Sequence, residues 1–320
     1  MKPINESVIS RVKLNHQPLV KKKVREKKWE APIVGYLFIS PWLLGLFLLT
    51  LYPMIQSFYF SFTDYSLLEA PNWVGMDNYQ KIFMEDKLFY KSLTITILFV
   101  VISVPLKLIT GLLMAMFLNQ KIKGIAFYRT LVYLPSLIGT SVAVAILWSN
   151  IFGSEGLVNS VLALFGISGT NWIGSPDTAL GTLILLFVWQ FGSSMVIFLA
   201  GLKQISPELY EASAVDGASK IRQFFSITLP MISPVLLFNL VLQTIGAFQM
   251  FTQAFVITKG GPIQSTYMFT LYLYERAFAG FEMGYASALA WILLVIIAIF
   301  TALIFATSKF WVFYATEGGK

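Results

Sequence analysis

Six apolar runs dominate the chain, at about 33–60, 93–118, 131–152, 179–202, 232–257 and 286–310. A helix rises 1.5 Å per residue, so about 20 apolar residues cross a hydrocarbon core some 30 Å thick. Each run meets that length. With 57% of its 320 residues hydrophobic and only 12% charged, the chain could not cover its apolar side chains as a soluble domain. An all-α integral membrane protein with six transmembrane helices is expected. The first run, about 28 residues or roughly 42 Å of helix, is expected to tilt or protrude, with Pro53 marking its exit. The apolar stretch 157–167 is too short to cross and reads as interfacial or re-entrant.

Charge orients these spans. Six crossings put both termini on one side, and the terminal arms together with the even-numbered loops carry 17 Lys and Arg against five on the opposite loops. The remaining basic residue, Lys107, lies within the second run. The side with 17 is cytoplasmic by the positive-inside bias, which places both termini there. Acids lean outward, with Asp64, Glu69, Asp77, Glu85, Asp86, Glu155, Asp177, Glu275 and Glu282 on the opposite loops. The net charge of +7 would suggest nucleic acid in a soluble protein. Here it reflects inside loops and a basic arm held near anionic headgroups, and no nucleic-acid partner is expected. The chain divides into a basic cytoplasmic arm (1–30), a six-span domain (31–315) containing a cytoplasmic loop at 203–230, and a short tail (316–320). No cleavable leader is expected, since the first apolar run follows about thirty polar residues. A short helix is expected around 77–83, in the loop after the first span.

That cytoplasmic loop is the most informative stretch. Ser206-Pro207-Glu208 offers a capping hydroxyl, a proline for the first turn and an acid at the helix N-terminus. Leu209, Tyr210, Ala212 and Val215 supply apolar groups, and Gly217 supplies a left-handed stop. A second short segment, 219–227, is expected to end at Leu229-Pro230, where the fifth span begins. The result is helix, sharp turn and helix between two membrane spans, an element suited to docking on a partner at the membrane surface.

Its spacing (Glu211-Ala212-Ser213, three residues, Gly217, nine residues, Ile227, one residue, Leu229-Pro230) resembles the EAA loop of ABC-importer permeases, with Ser213 in place of the second alanine. The segment Phe255–Pro262 (FVITKGGP), followed by Ser265-Thr266, and the aromatic loop after the first span are similar to carbohydrate-importer permeases. The resemblance implies a type I importer permease core like that of the larger maltose-transporter permease, located in a bacterial cytoplasmic membrane. It implies partners: a second permease subunit, two ATP-binding subunits and an extracytoplasmic substrate-binding protein. By motif position, Glu211 would pair with a basic residue of the ATPase. Gly217 would make the turn, Ala212 and Ser213 the close contacts, and Asp216, Ile227, Leu229 and Pro230 complete the coupling set.

No G-x-x-x-x-G-K-[ST] phosphate loop occurs in the chain, so ATP and magnesium belong on the partner ATPase and this subunit is expected to bind no cofactor and catalyse nothing. Cysteine is absent and His16 stands alone in a polar segment, which leaves no thiolate or zinc set. Polar side chains within spans are costly and face a cavity or another helix. In the fifth run, Asn239, Gln243, Gln249 and Gln253 would share an arc of roughly 120° on one continuous helix. With Trp189, Gln190 and Ser193 of the fourth run, the neighbouring Ser194, and Tyr133 of the third, they make a candidate sugar pathway of amides and aromatic faces. The bland alternative is that these amides only join helices. Lys107 reads as a buried structural cation or as a counter-charge for an acidic sugar.

The expected function is import of a carbohydrate, an oligosaccharide for preference. A glycerol-phosphate-type importer is the alternative within the class, and an ion-coupled secondary transporter the alternative outside it. The latter needs membrane-embedded carboxylates, and the six runs contain none. Because the chain has no cysteine, the orientation can be tested directly. Ser66→Cys and Ser175→Cys should react with an impermeant maleimide from outside and Ser219→Cys should not; labelling of the last in intact cells would reverse the topology.

Overall fold

Helices account for nearly all the regular structure in the computed structural model, which describes residues 30–120 and 123–314. Lys121, the tail 316–320 and the basic arm up to residue 29 lie outside the described residues. Among the described residues there is no strand, only an isolated antiparallel bridge between Thr63 and Trp73. Five helices are long and apolar enough to cross a membrane, and a bent pair makes a sixth when counted as one span.

In chain order, α1 (Glu30–Gly45) runs through a widened π-helical turn at Leu46–Leu51 into α2 (Tyr52–Phe60). Pro53 therefore does not end the helix. The widened turn precedes the residue that lacks an amide, and the Tyr52 N–H reaches back five residues to the Phe47 carbonyl. The same device recurs at Pro230. There α11 (Lys220–Gln223) passes through a π-helical turn at Phe224–Thr228 directly into α12 (Leu229–Phe248), with the Leu229 N–H on the Phe224 carbonyl. Leu229-Pro230 thus lies inside one helix rather than at a junction. The chain divides between Met54 and Ile55 into two units.

In the second unit, α3 (Asp77–Met84) occupies the outer loop, and α4 (Lys87–Leu118) is the central span. It starts six residues before the apolar run because Asp86 caps it, its carboxylate accepting from the Leu88 and Phe89 amides at 2.9 and 3.2 Å. Small and polar residues recur on its buried face (Ser92, Thr96, Ser103, Gly111, Ala115), which lets α8, α9 and α12 pack closely along it. A Cβ on Gly111 would stand 3.1 Å from that of Ser194.

The third and fourth spans are both broken. The third run comprises α5 (Ile125–Ile138) and α6 (Val142–Phe152); α6 with the short α7 (Leu157–Leu164) makes one of the five membrane-length stretches, Val142–Leu164, and α5 is by itself a shorter apolar helix. The fourth consists of α8 (Pro176–Trp189) and α9 (Gly192–Leu202), bent by 42°. They run alongside each other, as two bonds record: Ser136 Oγ to the Gln190 carbonyl at 3.1 Å and Trp148 Nε1 to the Thr182 carbonyl at 3.2 Å; Arg129 Nη2 ties α5 instead to the end of α4, at the Leu118 carbonyl 2.8 Å away. The fifth span also departs from expectation, since α12 stops at Phe248 rather than near residue 257. The Met250 carbonyl beyond the stop is taken by the Thr270 hydroxyl at 2.5 Å. A π-helical turn at Ala254–Thr258, an outer loop, α13 (Phe269–Tyr274), a further π-helical turn at Glu275–Ala279 and α14 (Met283–Ser308) complete the chain. The loop around Gly260-Gly261 is tied down by the Thr266 hydroxyl, whose Oγ1 lies 2.7 Å from both Thr258 Oγ1 and the Gly261 carbonyl oxygen. Lys91 Nζ holds the Ile263 carbonyl and Gln264 Oε1 at 3.0 Å each.

The N-terminal ends of α4 and α14 and the short α13 are clasped on one carboxylate. Besides capping α4, Asp86 accepts from the Tyr272 and Tyr285 hydroxyls, with Arg276 Nη2 3.8 Å away. Arg276 continues the chain to Glu282 at 3.0 Å. Burial acts to raise the Asp86 carboxyl, but the two hydroxyls and two amides outweigh it and hold it below its ordinary value. Burial and the carboxylate together push Tyr272 up to about 12, so its hydroxyl keeps its proton. A lowered folded-state value means a contribution to stability that is present above the unfolded value, about 4, and is lost as pH falls through the folded one. Asp86→Asn should therefore lower thermal stability at neutral pH and flatten the acid limb of the unfolding curve; an unchanged acid limb would remove the clasp from the account.

Candidate functional site

Two arrangements stand out, one in the polar segment between the fourth and fifth spans and one where the spans are broken. The first is the hairpin of α10 (Pro207–Val215) and α11. Ser206 caps α10 through the Glu208 amide at 3.3 Å, with Pro207 in the first turn. Asp216 follows as the C-cap, and Gly217 turns the chain at φ 77°, where a side chain would be strained. The Ala218 and Gly217 amides close the turn on the Ser213 and Ala214 carbonyls at 2.9 and 3.0 Å. Ser219 then caps α11 through the Arg222 amide at 3.3 Å.

The two arms are held by a residue that the motif does not include. Gln223 is buried, and its Nε2 donates to the Tyr210 carbonyl at 3.1 Å and to Ser213 Oγ at 2.9 Å. Lys220 Nζ donates to Gln223 Oε1 at 3.2 Å, and the Tyr210 hydroxyl meets Thr228 Oγ1 at 2.9 Å. Ser213, the departure from the motif alanine, thus supplies a hydroxyl that the hairpin uses internally. Ile227 is half-buried beneath it, and Leu229 and Pro230 lie in the following helix. Glu211, Ala212, Asp216 and Gly217 are exposed, as are Leu209, Val215 and Ile221. The hairpin thus turns an acid-bearing apolar face away from its own chain.

The second arrangement joins the three span breaks. The carbonyl of Gly139, between α5 and α6, accepts from Gln190 Nε2 at 3.2 Å and from Gln253 Nε2 at 3.4 Å. Gln190 also donates to the Leu186 carbonyl at 3.2 Å, while its own carbonyl accepts from Ser136 Oγ. Ser136 Oγ in turn accepts from the Ser193 amide at 3.0 Å. The breaks after Ile138, Trp189 and Phe248 therefore share one hydrogen-bonded node. The fit needs glycine, because a Cβ on Gly139 would lie 2.3 Å from Gln190 Cγ, and one on Gly192 2.9 Å from Tyr133 Cα.

The structure brings together Gln190, Ser193, Gln253 and Tyr133, but the amides of the fifth run do not form one polar stripe. With α12 ending at Phe248, the 100° rotation does not carry across to Gln253. Asn239 is fully buried with neither amide atom bonded, Gln253 is buried in the node, Gln243 is half-buried and Gln249 is exposed at the break. Trp189 is half-buried and packs on Trp148 at 5.8 Å. Lys107 is buried, with Nζ 3.9 Å from the centroid of the Phe187 ring and no carboxylate partner among the described residues. Sequence reasoning missed Ser136, Gly139, Gly192 and Gln223. Their only signals are small residues interrupting apolar runs, as in Gly139-Thr140-Ser141, and an amide in an otherwise amphipathic turn.

Irregular backbone at membrane depth is stable only where it is buried in protein or lines a cavity, and transport proteins place their substrate sites at such breaks. Residues 107–310 match the family of binding-protein-dependent transport system inner membrane components. The chain is 51% identical over 288 residues to a probable ABC transporter permease, YesP of Bacillus subtilis (strain 168), covering 89% of this chain and 93% of that one. It is 33% identical over 293 residues to the trehalose/maltose transport system permease MalF of Thermococcus litoralis, covering 91% and 97%. A chain of a bacterial ABC transporter involved in the import of the acidic polysaccharide alginate shares the fold, with a TM-score of 0.77 at 22% identity over 87% of this chain and 96% of that one. The protein belongs to the binding-protein-dependent transport system inner membrane component family: it is a multi-pass permease subunit of an ABC transporter.

The node makes a specific demand on Gly139. Gly139→Ala should destabilise the protein by about 1–3 kcal/mol through overpacking. Gln190→Ala in the same chain should recover part of that loss by removing Cγ and Cδ, a coupling visible in a double-mutant cycle of thermal stability. Strict additivity would show that the two do not share a node.

Proposed function

We propose that this chain forms half of the membrane pathway of an ATP-driven importer of carbohydrate, an oligosaccharide for preference, working with a second permease, two ATPase subunits and an extracytoplasmic binding protein. The observation that carries the reading is the α10–α11 hairpin, whose glycine turn and internally bonded arms leave Glu211, Ala212 and Asp216 facing outward beside uncovered Leu209, Val215 and Ile221. ATP with its magnesium acts on the partner subunits. Closure of the ATPase pair would move the hairpin as a rigid lever, and α11 transmits that movement into α12 without a joint, because the helix continues through Pro230. Both termini and the hairpin lie on the cytoplasmic side in this reading, as the charge asymmetry requires.

The carbohydrate assignment rests on the trehalose/maltose relative and on an uncharged polar node of amides and hydroxyls. Such groups both donate to and accept from sugar hydroxyls. Gln249 and Gln243, the uncommitted amides nearest the break in α12, face the sugar in this account, with Tyr133, Trp189 and Ser193 on the opposing spans. Gln190 and Gln253 hold the helices that carry them, while Asn239 is buried with its amide unpartnered among the described residues. Burial of Lys107 against Phe187 within its own chain supports its structural role over that of a counter-charge for an acidic sugar. A glycerol-phosphate substrate would need an available cation at the node, and among the described residues none is bonded there.

Glu211→Lys and Gly217→Pro test the hairpin. Either should abolish uptake while the protein remains in the membrane, and the ATPase activity of the assembled complex should no longer respond to substrate-loaded binding protein. Uptake at the wild-type rate in both variants would remove the hairpin from coupling.

A further inference from the structure

An open cavity of about 410 Å³ lies in the outer loops, apart from the hairpin and the node. Three segments wall it: Asp64, Tyr65 and Ser66 of the first loop, Lys81 of α3, and Phe281 and Glu282 of the turn before α14. Its base is rigid. The Gly284 amide donates to the Tyr65 carbonyl at 2.9 Å, and a Cβ on Gly284 would fall 2.0 Å from the Thr63 carbonyl oxygen. Glu282 joins the clasp through Arg276 at 3.0 Å and faces Lys81 at 3.9 Å.

Two features of this socket are unspent by the fold. Asp64 is exposed, and its carboxylate accepts only from the amide and side chain of Asn72, at 2.8 and 3.3 Å, with no cationic partner among the described residues. Phe281 is held at φ 58°, a conformation costly for a bulky residue, and is 44% exposed at the lip. Strain that keeps an apolar ring in water marks a contact surface. The outward loops carry nine acids against five basic residues, so a complementary partner surface is basic.

We propose that this socket receives a loop of the extracytoplasmic binding protein, which places a lysine or arginine against Asp64 and its apolar stem against Phe281. The proposal rests on the importer reading, because the partner is the one that a binding-protein-dependent permease requires. Arg276 then links the docked loop, through Glu282, to the Asp86 clasp on α4 and α14, so docking bears directly on two spans.

The absence of cysteine permits a footprint. In the assembled complex, Ser66→Cys and Ser175→Cys are each labelled with an impermeant maleimide, alone, with free sugar, and with the sugar-loaded binding protein of the same system. The binding protein should slow labelling of Ser66→Cys several-fold, and free sugar should not. Asp64→Asn, which keeps an acceptor for Asn72, should raise the half-saturating binding-protein concentration several-fold and leave the maximal stimulated ATPase rate unchanged. Equal labelling of Ser66→Cys with and without the binding protein, in a complex that still takes up sugar, overturns the socket and leaves the importer reading intact. Protection by free sugar alone would make the cavity a sugar site and overturn docking. A complex that shows no binding-protein-dependent uptake without any substitution overturns both.

Discussion

In hydrocarbon no water is available to satisfy a backbone amide or carbonyl, so each interruption of a helix must be met by another part of the protein. This chain interrupts its third, fourth and fifth spans and meets all three interruptions at one place. The Gly139 carbonyl takes two glutamine amides, Ser136 serves both a carbonyl and an amide of the fourth span, and Thr270 serves the carbonyl left free beyond α12. Neutral amides suit the task, since they donate and accept without the penalty of a charge. The price is steric: Gly139 and Gly192 have no space for a side chain.

That node also divides the broken spans into two parts. The N-terminal part of the fifth span is continuous with the hairpin through α11 and the widened turn before Pro230. The first turns of α4 and α14 are bound together at Asp86 by two tyrosine hydroxyls and an arginine. A permease that alternates its access needs two stiff bodies and a hinge between them. Here hydrogen-bonded clusters stiffen the hairpin and the Asp86 clasp, and the span breaks are themselves bonded to one another.

The hairpin shows how a departure from a motif can be read physically. Ser213 replaces an alanine and its hydroxyl accepts from Gln223, which also holds the Tyr210 carbonyl. The arms therefore keep their angle through internal bonds, and the exposed Glu211, Ala212 and Asp216 remain free for an intermolecular contact. Gln223 escaped notice because a buried amide in a short amphipathic turn has the same sequence appearance as a solvated one.

Several properties followed from local chemistry, and sequence alone determined them. Long apolar runs required membrane helices, since nothing else could cover them. The caps at Ser206 and Ser219 and the left-handed turn at Gly217 needed only their own neighbours, and the short helix after Asp77 formed where expected. Tertiary structure decided the rest. Periodicity treated the fifth run as one helix and gathered four amides on one face, but Thr270, twenty residues away, takes the Met250 carbonyl and the helix ends before Gln253. Leu229-Pro230 read as the junction of two segments, yet a widened turn before Pro230 carries the helix through. Gly139 looked like any small residue in an apolar run, and Asp86 like any outer-loop acid. Their roles depend on Gln190 and Gln253 in one case and on Tyr272, Arg276 and Tyr285 in the other. Pairings across such separations are set by how the helices pack, and no local pattern encodes them.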